Sequence, residues 1–305
     1  MKIVLFGKNG QVGHELSHKL NRLGKVVSCD RAQVDFVDDI QIQNFLYNEK
    51  PDIIVNAVAY TAVDKAEAEP LLATQINATA VGQLASYAKE TGALLVHFST
   101  DYVFDGRKEG RYTEEDTCNP LSVYGVSKLA GEEQIIQSGC KNFIFRTSWV
   151  YSNRGKNFIR TILKLASSKS DLKIIEDQIG VPTSASLISD VVCQILSQYV
   201  DSAEHINESY GTYHLSPIGK TNWYEYAKLI LKTAHKEGGQ SLLPLEAIHP
   251  IPTSKYEQSA TRPKNSLLDT SKLRNVFKIE LPNWDADVQA TLSDLFINSA
   301  MPYNT

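Results

Sequence analysis

The sequence predicts an α/β protein built on a doubly wound parallel sheet, with a smaller, interleaved C-terminal lobe. Three observations lead there. Short β-branched runs alternate with longer helical patterns through the first half of the 305 residues, the arrangement that gives parallel strands joined by crossover helices. These runs are almost wholly apolar, as strands are when helices cover both faces of a sheet. A glycine-rich turn follows the first run directly.

Residues 2–6, 26–29, 53–56, 94–99 and 143–146 read as strands, and residues 15–23 carry a helical pattern. After about Trp149 the regularity weakens, leaving helices around 157–166 and 187–200 and a short strand-like run at 213–215. We therefore expect a nucleotide-binding domain over residues 1–150 and a lobe over 151–305, some of whose segments return to the sheet. The polar stretches 107–116 and 253–265 are loops long enough to cover a site.

Composition narrows the partners. A formal charge of -4 and a pI near 6.0 give no basic excess to neutralise phosphate backbones, so nucleic acid is excluded as a partner. The four cysteines lie far apart with no Cys-x-x-Cys pair, which reads as reduced thiols without a zinc site. Met1 leads straight into the first strand, and no apolar run reaches membrane-spanning length, so a cytoplasmic chain without membrane attachment is expected.

Gly7, Gly10 and Gly13 form Gly-x-x-Gly-x-x-Gly between the first strand and the first helix. In that position glycines let the backbone turn tightly and approach a pyrophosphate, while the N–H groups of the helix N-terminus, including those of Gln11 and Val12, offer an anion site. Asp30 ends the second strand, where a carboxylate can bind the adenine ribose hydroxyls of NADH. Its neighbour Arg31 can accept the 2′-phosphate of NADPH, so either nicotinamide cofactor fits.

Tyr124 and Lys128 stand four apart on a predicted helix and share one face. A nearby ammonium favours phenolate, so Lys128 is expected to lower the pKa of Tyr124, which can then protonate an alkoxide forming from a ketone. Ser99-Thr100-Asp101 follows the fourth strand, at the sheet edge where open α/β folds place ligands, and the Thr100 hydroxyl can steady the developing oxyanion. A second Tyr-x-x-x-Lys, Tyr224 with Lys228, lies on a distal amphipathic helix over 224–233 with no strand-end polar group before it; packing explains it.

With these residues in view, the motifs become recognisable as a set: GKNGQVG from Gly7, VNAVAYTAVDKAE from Val55, STDYVFDG from Ser99, YGVSKLAGE from Tyr124, FRTSWVY from Phe145, DQIGVPTSA from Asp177 and SATRPKNSLLD from Ser259. Nearly end to end, the chain resembles the dTDP-4-dehydrorhamnose reductases, extended short-chain dehydrogenases on a Rossmann-type sheet. The resemblance implies hydride transfer from NADPH or NADH to C4 of a dTDP-4-keto-6-deoxy sugar, dTDP-4-dehydro-L-rhamnose, in surface polysaccharide biosynthesis. It implies cofactor contacts at Gly10, Gln11, Val12, Asp30, Asp35, Phe36, Ala59, Tyr60, Thr61, Tyr124 and Lys128. It further implies contacts of the dTDP-sugar with Thr100, Asp101, Val103 and Trp149, whose indole suits a sugar face, and with Arg262, which can engage a diphosphate bidentately.

Some members of the family dimerise around a metal held by carboxylates. Glu15 and Asp294 correspond to two such positions, but Ser186 stands at a third; hard cations need several oxygen ligands. No essential metal is expected, and a monomer or weak homodimer is. Sugar-nucleotide dehydratases carry an acidic pair after the threonine, whereas Tyr102 follows Asp101 here. Two alternatives stay open: a 4-ketoreductase for another nucleotide deoxysugar, and a non-catalytic subunit like the regulatory partner of methionine adenosyltransferase. The complete set of Thr100, Tyr124 and Lys128 argues against the second.

Overall fold

Lys2–Phe6 forms the first strand, β1, in which Ile3, Val4 and Leu5 are wholly buried. Successive side chains leave a strand on opposite faces. Ile3 and Leu5 accordingly pack with Leu16, Leu20, Ile188 and Val192 on one side, while Val4 and Phe6 pack with Ile42, Leu46, Val81 and Leu84 on the other. Two helical layers cover the sheet, which is why its strands lack polar alternation. The computed structural model describes residues 1–201, 209–238 and 242–300.

The chain proceeds through α1 (Gln11–Lys19), β2 (Lys25–Cys29), α2 (Asp39–Glu49), β3 (Ile53–Asn56), the short helices α3 (Val63–Ala66) and α4 (Pro70–Thr74), and α5 (Ala80–Thr91). β4 (Leu94–Thr100), α6 (Val123–Ser138) and β5 (Asn142–Thr147) follow. Across the sheet the order is β2, β1, β3, β4, β5 and then Gly211–His214, all parallel. Strand order reverses between β1 and β3, and open α/β sheets bind ligands at the carboxyl ends beside such a reversal.

Helix α1 starts a turn earlier than its side-chain pattern predicts, at Gln11 rather than near residue 15. Glycine is a poor helix former, yet Gly13 is inside α1 because nothing larger fits: a Cβ there would lie 2.1 Å from the Gly7 carbonyl oxygen. Packing overrides propensity at this point.

Beyond β5, the helix Phe158–Ala166 and the helix Trp223–Lys236 gather a separate aromatic and aliphatic cluster with Tyr151 and Val288. The helix Ala185–Asp201, in contrast, packs on the sheet face beside α1, and Gly211–His214 pairs with β5 in register Phe145↔Tyr213. The loops 107–116 and 253–265 are joined, because Asn265 Nδ2 donates to the carbonyls of Lys108 (2.8 Å) and Gly110 (2.6 Å). Among the described residues no helix is long and apolar enough to cross a membrane.

A buried ion pair ties α6 to the sheet. Arg146 on β5 donates to Glu132 on α6 from Nε (3.0 and 3.1 Å) and Nη2 (2.6 Å), and Ser99 on β4 also donates to Glu132. Removing one partner of such a pair strands the other charge in the interior. Glu132→Ala is therefore expected to cost about 3–5 kcal/mol in chemical denaturation; a loss under about 1 kcal/mol, the range of surface pairs, contradicts this reading.

Candidate active site

The glycine turn builds a cradle. Gly7 has φ 87°, and a Cβ on it would lie 2.9 Å from the Ala57 backbone. Gly10 caps α1 without any side-chain bond, so the first N–H groups of the helix point to an open cleft. That cleft, of about 430 Å³, is lined by the predicted Gly7, Gly10, Asp30, Arg31, Asp35, Phe36, Ala59, Tyr60 and Thr61. A dinucleotide pyrophosphate fits this cradle, since the backbone lies open where any side chain would intrude.

Gln11 and Val12 differ from the rest of the predicted cofactor set. The Gln11 carboxamide oxygen accepts from Ser152 Oγ and Asn157 Nδ2, both at 3.0 Å, and Val12 packs against the core. At the helix start their backbone N–H groups have no intrahelical partner and are the groups left for a ligand. A residue missed in the sequence, Lys8, places Nζ 3.4 Å from Asp30 Oδ2, and Asn9 Nδ2 donates to the same oxygen at 3.1 Å. Partial desolvation raises the Asp30 carboxyl, but Lys8, Asn9 and the Ala32 N–H outweigh it and hold the group below its ordinary value. Arg31 pairs with Asp35 at 3.2 Å and is largely exposed.

At the end of β4, Thr100 is buried, donates to Asp101 Oδ1 and accepts from the Tyr102 N–H, both at 3.1 Å. Tyr124 enters from α6, whose start is capped by Ser122 accepting from the Gly125 N–H. Burial pushes the Tyr124 phenol up to about 12; a hydrogen bond with Thr100 pulls it down, and the Asp101 charge pushes it further up. The expected lowering by Lys128 is absent. Lys128 instead turns inward, donating to the Phe98 carbonyl at 2.7 Å and lying 3.0 Å from His97 Nε2. Burial lowers its own ammonium to about 8, with the Glu132 carboxylate opposing.

Three predicted sugar contacts are also engaged elsewhere. Val103 is wholly buried among Phe104, Tyr112 and Leu268, so only its backbone can meet a ligand. Arg262 Nη2 donates to Asp64 Oδ2 at 2.8 Å, and Asp64 Oδ1 accepts from the Ala260 N–H, which ties the distal loop to α3. Trp149 has φ 48° and stacks on Trp223 at 3.7 Å between centroids, one face of its indole being covered. Trp223, unmarked by any sequence motif, donates from Nε1 to Gln178 Oε1 at 3.1 Å.

The second Tyr-x-x-x-Lys pair is half-buried in the lobe: Tyr224 packs against the cluster around Tyr226, and Lys228 Nζ lies 5.0 Å from the Tyr224 ring centroid and 3.4 Å from Glu225. Ser186 Oγ accepts from Lys19 Nζ at 3.1 Å. Among the described residues no three His, Cys, Asp or Glu side chains gather as metal ligands.

A dinucleotide cradle beside a Tyr-x-x-x-Lys helix and a strand-end threonine defines the class, an extended short-chain dehydrogenase/reductase. Known proteins narrow it further. The family described as "RmlD substrate binding domain" matches residues 1–297, and the chain belongs to that family. It is 42% identical over 305 residues to the dTDP-4-dehydrorhamnose reductase of Escherichia coli K12, covering 99% of this chain and 100% of that one. Solved structures agree. A dTDP-4-dehydrorhamnose reductase from Clostridium acetobutylicum superposes with TM-score 0.86 at 32% identity, covering 97% of this chain and 99% of that one. One from Bacillus anthracis, solved in complex with NADP, gives 0.85 at 32%, with 96% and 99% covered.

The buried Asp101 carboxyl provides a test of the site's electrostatics. Burial raises it from 3.8 to about 6, against hydrogen bonds from Ser266 and Thr100. A carboxyl raised on folding contributes stability that is full below its unfolded pKa and lost as pH rises through the folded one. Asp101→Asn should therefore gain stability relative to the parent between pH 4 and 6, levelling at about 3 kcal/mol. Thermal melts across that range read the difference; a gain that does not change with pH contradicts it.

Proposed function

We propose that the chain reduces the C4 keto group of dTDP-4-dehydro-L-rhamnose with NADPH or NADH, giving dTDP-L-rhamnose for surface polysaccharide biosynthesis. The observation that carries the chemistry is the meeting of Thr100, buried at the carboxyl end of β4, with Tyr124 from α6, whose phenol feels both Thr100 and Asp101. Two hydroxyls that meet there can both turn to one keto oxygen. The choice of sugar rests on full-length identity with the reductases.

The glycine cradle with Asp30 and Arg31 would hold NADPH or NADH, which would supply the hydride that C4 receives. Thr100 donates a hydrogen bond to the keto oxygen as negative charge builds on it, and Tyr124 delivers the proton that completes the alcohol. Lys128 resupplies the phenol and, by exchanging the Phe98 carbonyl for a ribose hydroxyl, holds the nicotinamide ribose. No covalent intermediate is needed. Asp101, Trp149 and Arg262 serve the sugar nucleotide, Arg262 by exchanging Asp64 for the diphosphate. Val103 serves it through its backbone. The same reading has the chain working in the cytoplasm as a monomer or weak homodimer, without a bridging metal.

With dTDP-4-dehydro-L-rhamnose made in place by a dehydratase and a 3,5-epimerase, nicotinamide oxidation should yield dTDP-L-rhamnose, identified by chromatography and mass. A different product sugar, or no oxidation of either cofactor despite cofactor binding, overturns the assignment. Arg31→Ala should raise KM for NADPH about tenfold or more, the loss of one charged hydrogen bond, and leave that for NADH nearly unchanged. Equal effects on both cofactors would remove Arg31 from the 2′-phosphate.

A further inference from the structure

Behind Lys128 lies a chain of buried polar groups that the mechanism above does not use. Asn56, at the end of β3, and His97, inside β4, are both wholly inaccessible to solvent. Asn56 Oδ1 accepts from the Val58 N–H at 3.0 Å, so its amide nitrogen is the group facing His97 Nδ1 at 3.1 Å. His97 Nε2 in turn lies 3.0 Å from Lys128 Nζ.

The backbone fixes the protons along this line. The Val58 N–H can only donate, so the carboxamide is oriented with its oxygen toward Val58 and its NH2 toward the ring. An amide NH2 can only donate, so His97 Nδ1 must accept. Burial holds the His97 imidazolium far below its ordinary range, and the Lys128 charge lowers it further, so the ring is neutral and has one proton. That proton is therefore on Nε2, directed at Lys128.

We propose that His97 is a positioning residue of the site: Asn56 locks its tautomer, and the resulting Nε2–H faces Lys128 Nζ as a donor. An amine can accept that hydrogen bond, whereas an ammonium would set N–H against N–H. The contact thus favours the amine and eases the loss of a proton from Lys128 when Tyr124 is resupplied. From β4, Lys128 meets His97 and the Phe98 carbonyl; along α6, Glu132 supplies the opposing charge, and Tyr124 stands one turn before it. Asp101, after β4, acts on Tyr124. The inference rests on the reductase reading for its kinetic consequence, but not for the tautomer.

Two variants and one spectrum test it. His97→Gln keeps a polar side chain whose carbonyl can accept from the ammonium. Asn56→Ser, which does not touch Lys128, frees the ring to take its other tautomer. In both, the alkaline limb of kcat against pH should move up by about one unit, because the ammonium is no longer opposed. Nitrogen-15 shifts of His97 in the parent protein should show a protonated Nε2. A protonated Nδ1 overturns the proposal. So do pH profiles that stay in place while kcat or melting temperature falls, since a merely structural role would lower those alone. If the parent protein turns over no keto sugar, the reductase reading fails, and the His97 tautomer still decides this inference.

Discussion

Tyr124, Lys128 and Glu132 follow one another at four-residue spacing along α6, and the depth to which that helix sinks onto the sheet decides where each lands. Two glycines let it close on its neighbours, one against the turn after β4 and one against the helical segment before α5. A Cβ on Gly125 would lie 2.3 Å from the Tyr102 carbonyl oxygen, and one on Gly131 2.1 Å from that of Asn77. At that separation Glu132 reaches Arg146 and Ser99, Lys128 reaches the Phe98 carbonyl, and Tyr124 meets the end of β4. A buried ion pair is weak support for stability by itself, because desolvation offsets its attraction. Its value here is registry, since the bonds from Arg146 and Ser99 leave the helix one place to sit.

The same burial governs the electrostatics. The Tyr124 phenol is raised and the Lys128 ammonium lowered, so each is driven toward its neutral form. Spacing alone predicts the opposite for the phenol, because it counts a neighbouring cation and not the desolvation of both groups. Proton transfer gains from this arrangement. A neutral phenol is already the donor a growing alkoxide needs, and a lysine at about 8 can release a proton near neutral pH.

Much of this was legible in the sequence, for physical reasons. Strands buried on both faces must be apolar runs, so β1, β3, β4 and β5 could be read within a residue or two. The glycine turn was legible because its spacing answers a steric demand. Unread were contacts between residues far apart in the chain. Arg262 lies on Asp64 across 198 positions, and Gln11 on Asn157 across 146. The stack of Trp149 on Trp223 and the line from Asn56 through His97 have no motif, because each depends on the approach of separate elements.

The central claim is that Tyr124 gives the proton and the rest of the site holds the reactants for it. Rapid-mixing measurement of hydride transfer in Tyr124→Phe, with cofactor affinity taken by titration, tests this most directly. Unchanged cofactor binding with transfer slowed about 10²–10⁴-fold is the expected result. Transfer at the parent rate would remove Tyr124 from the chemistry.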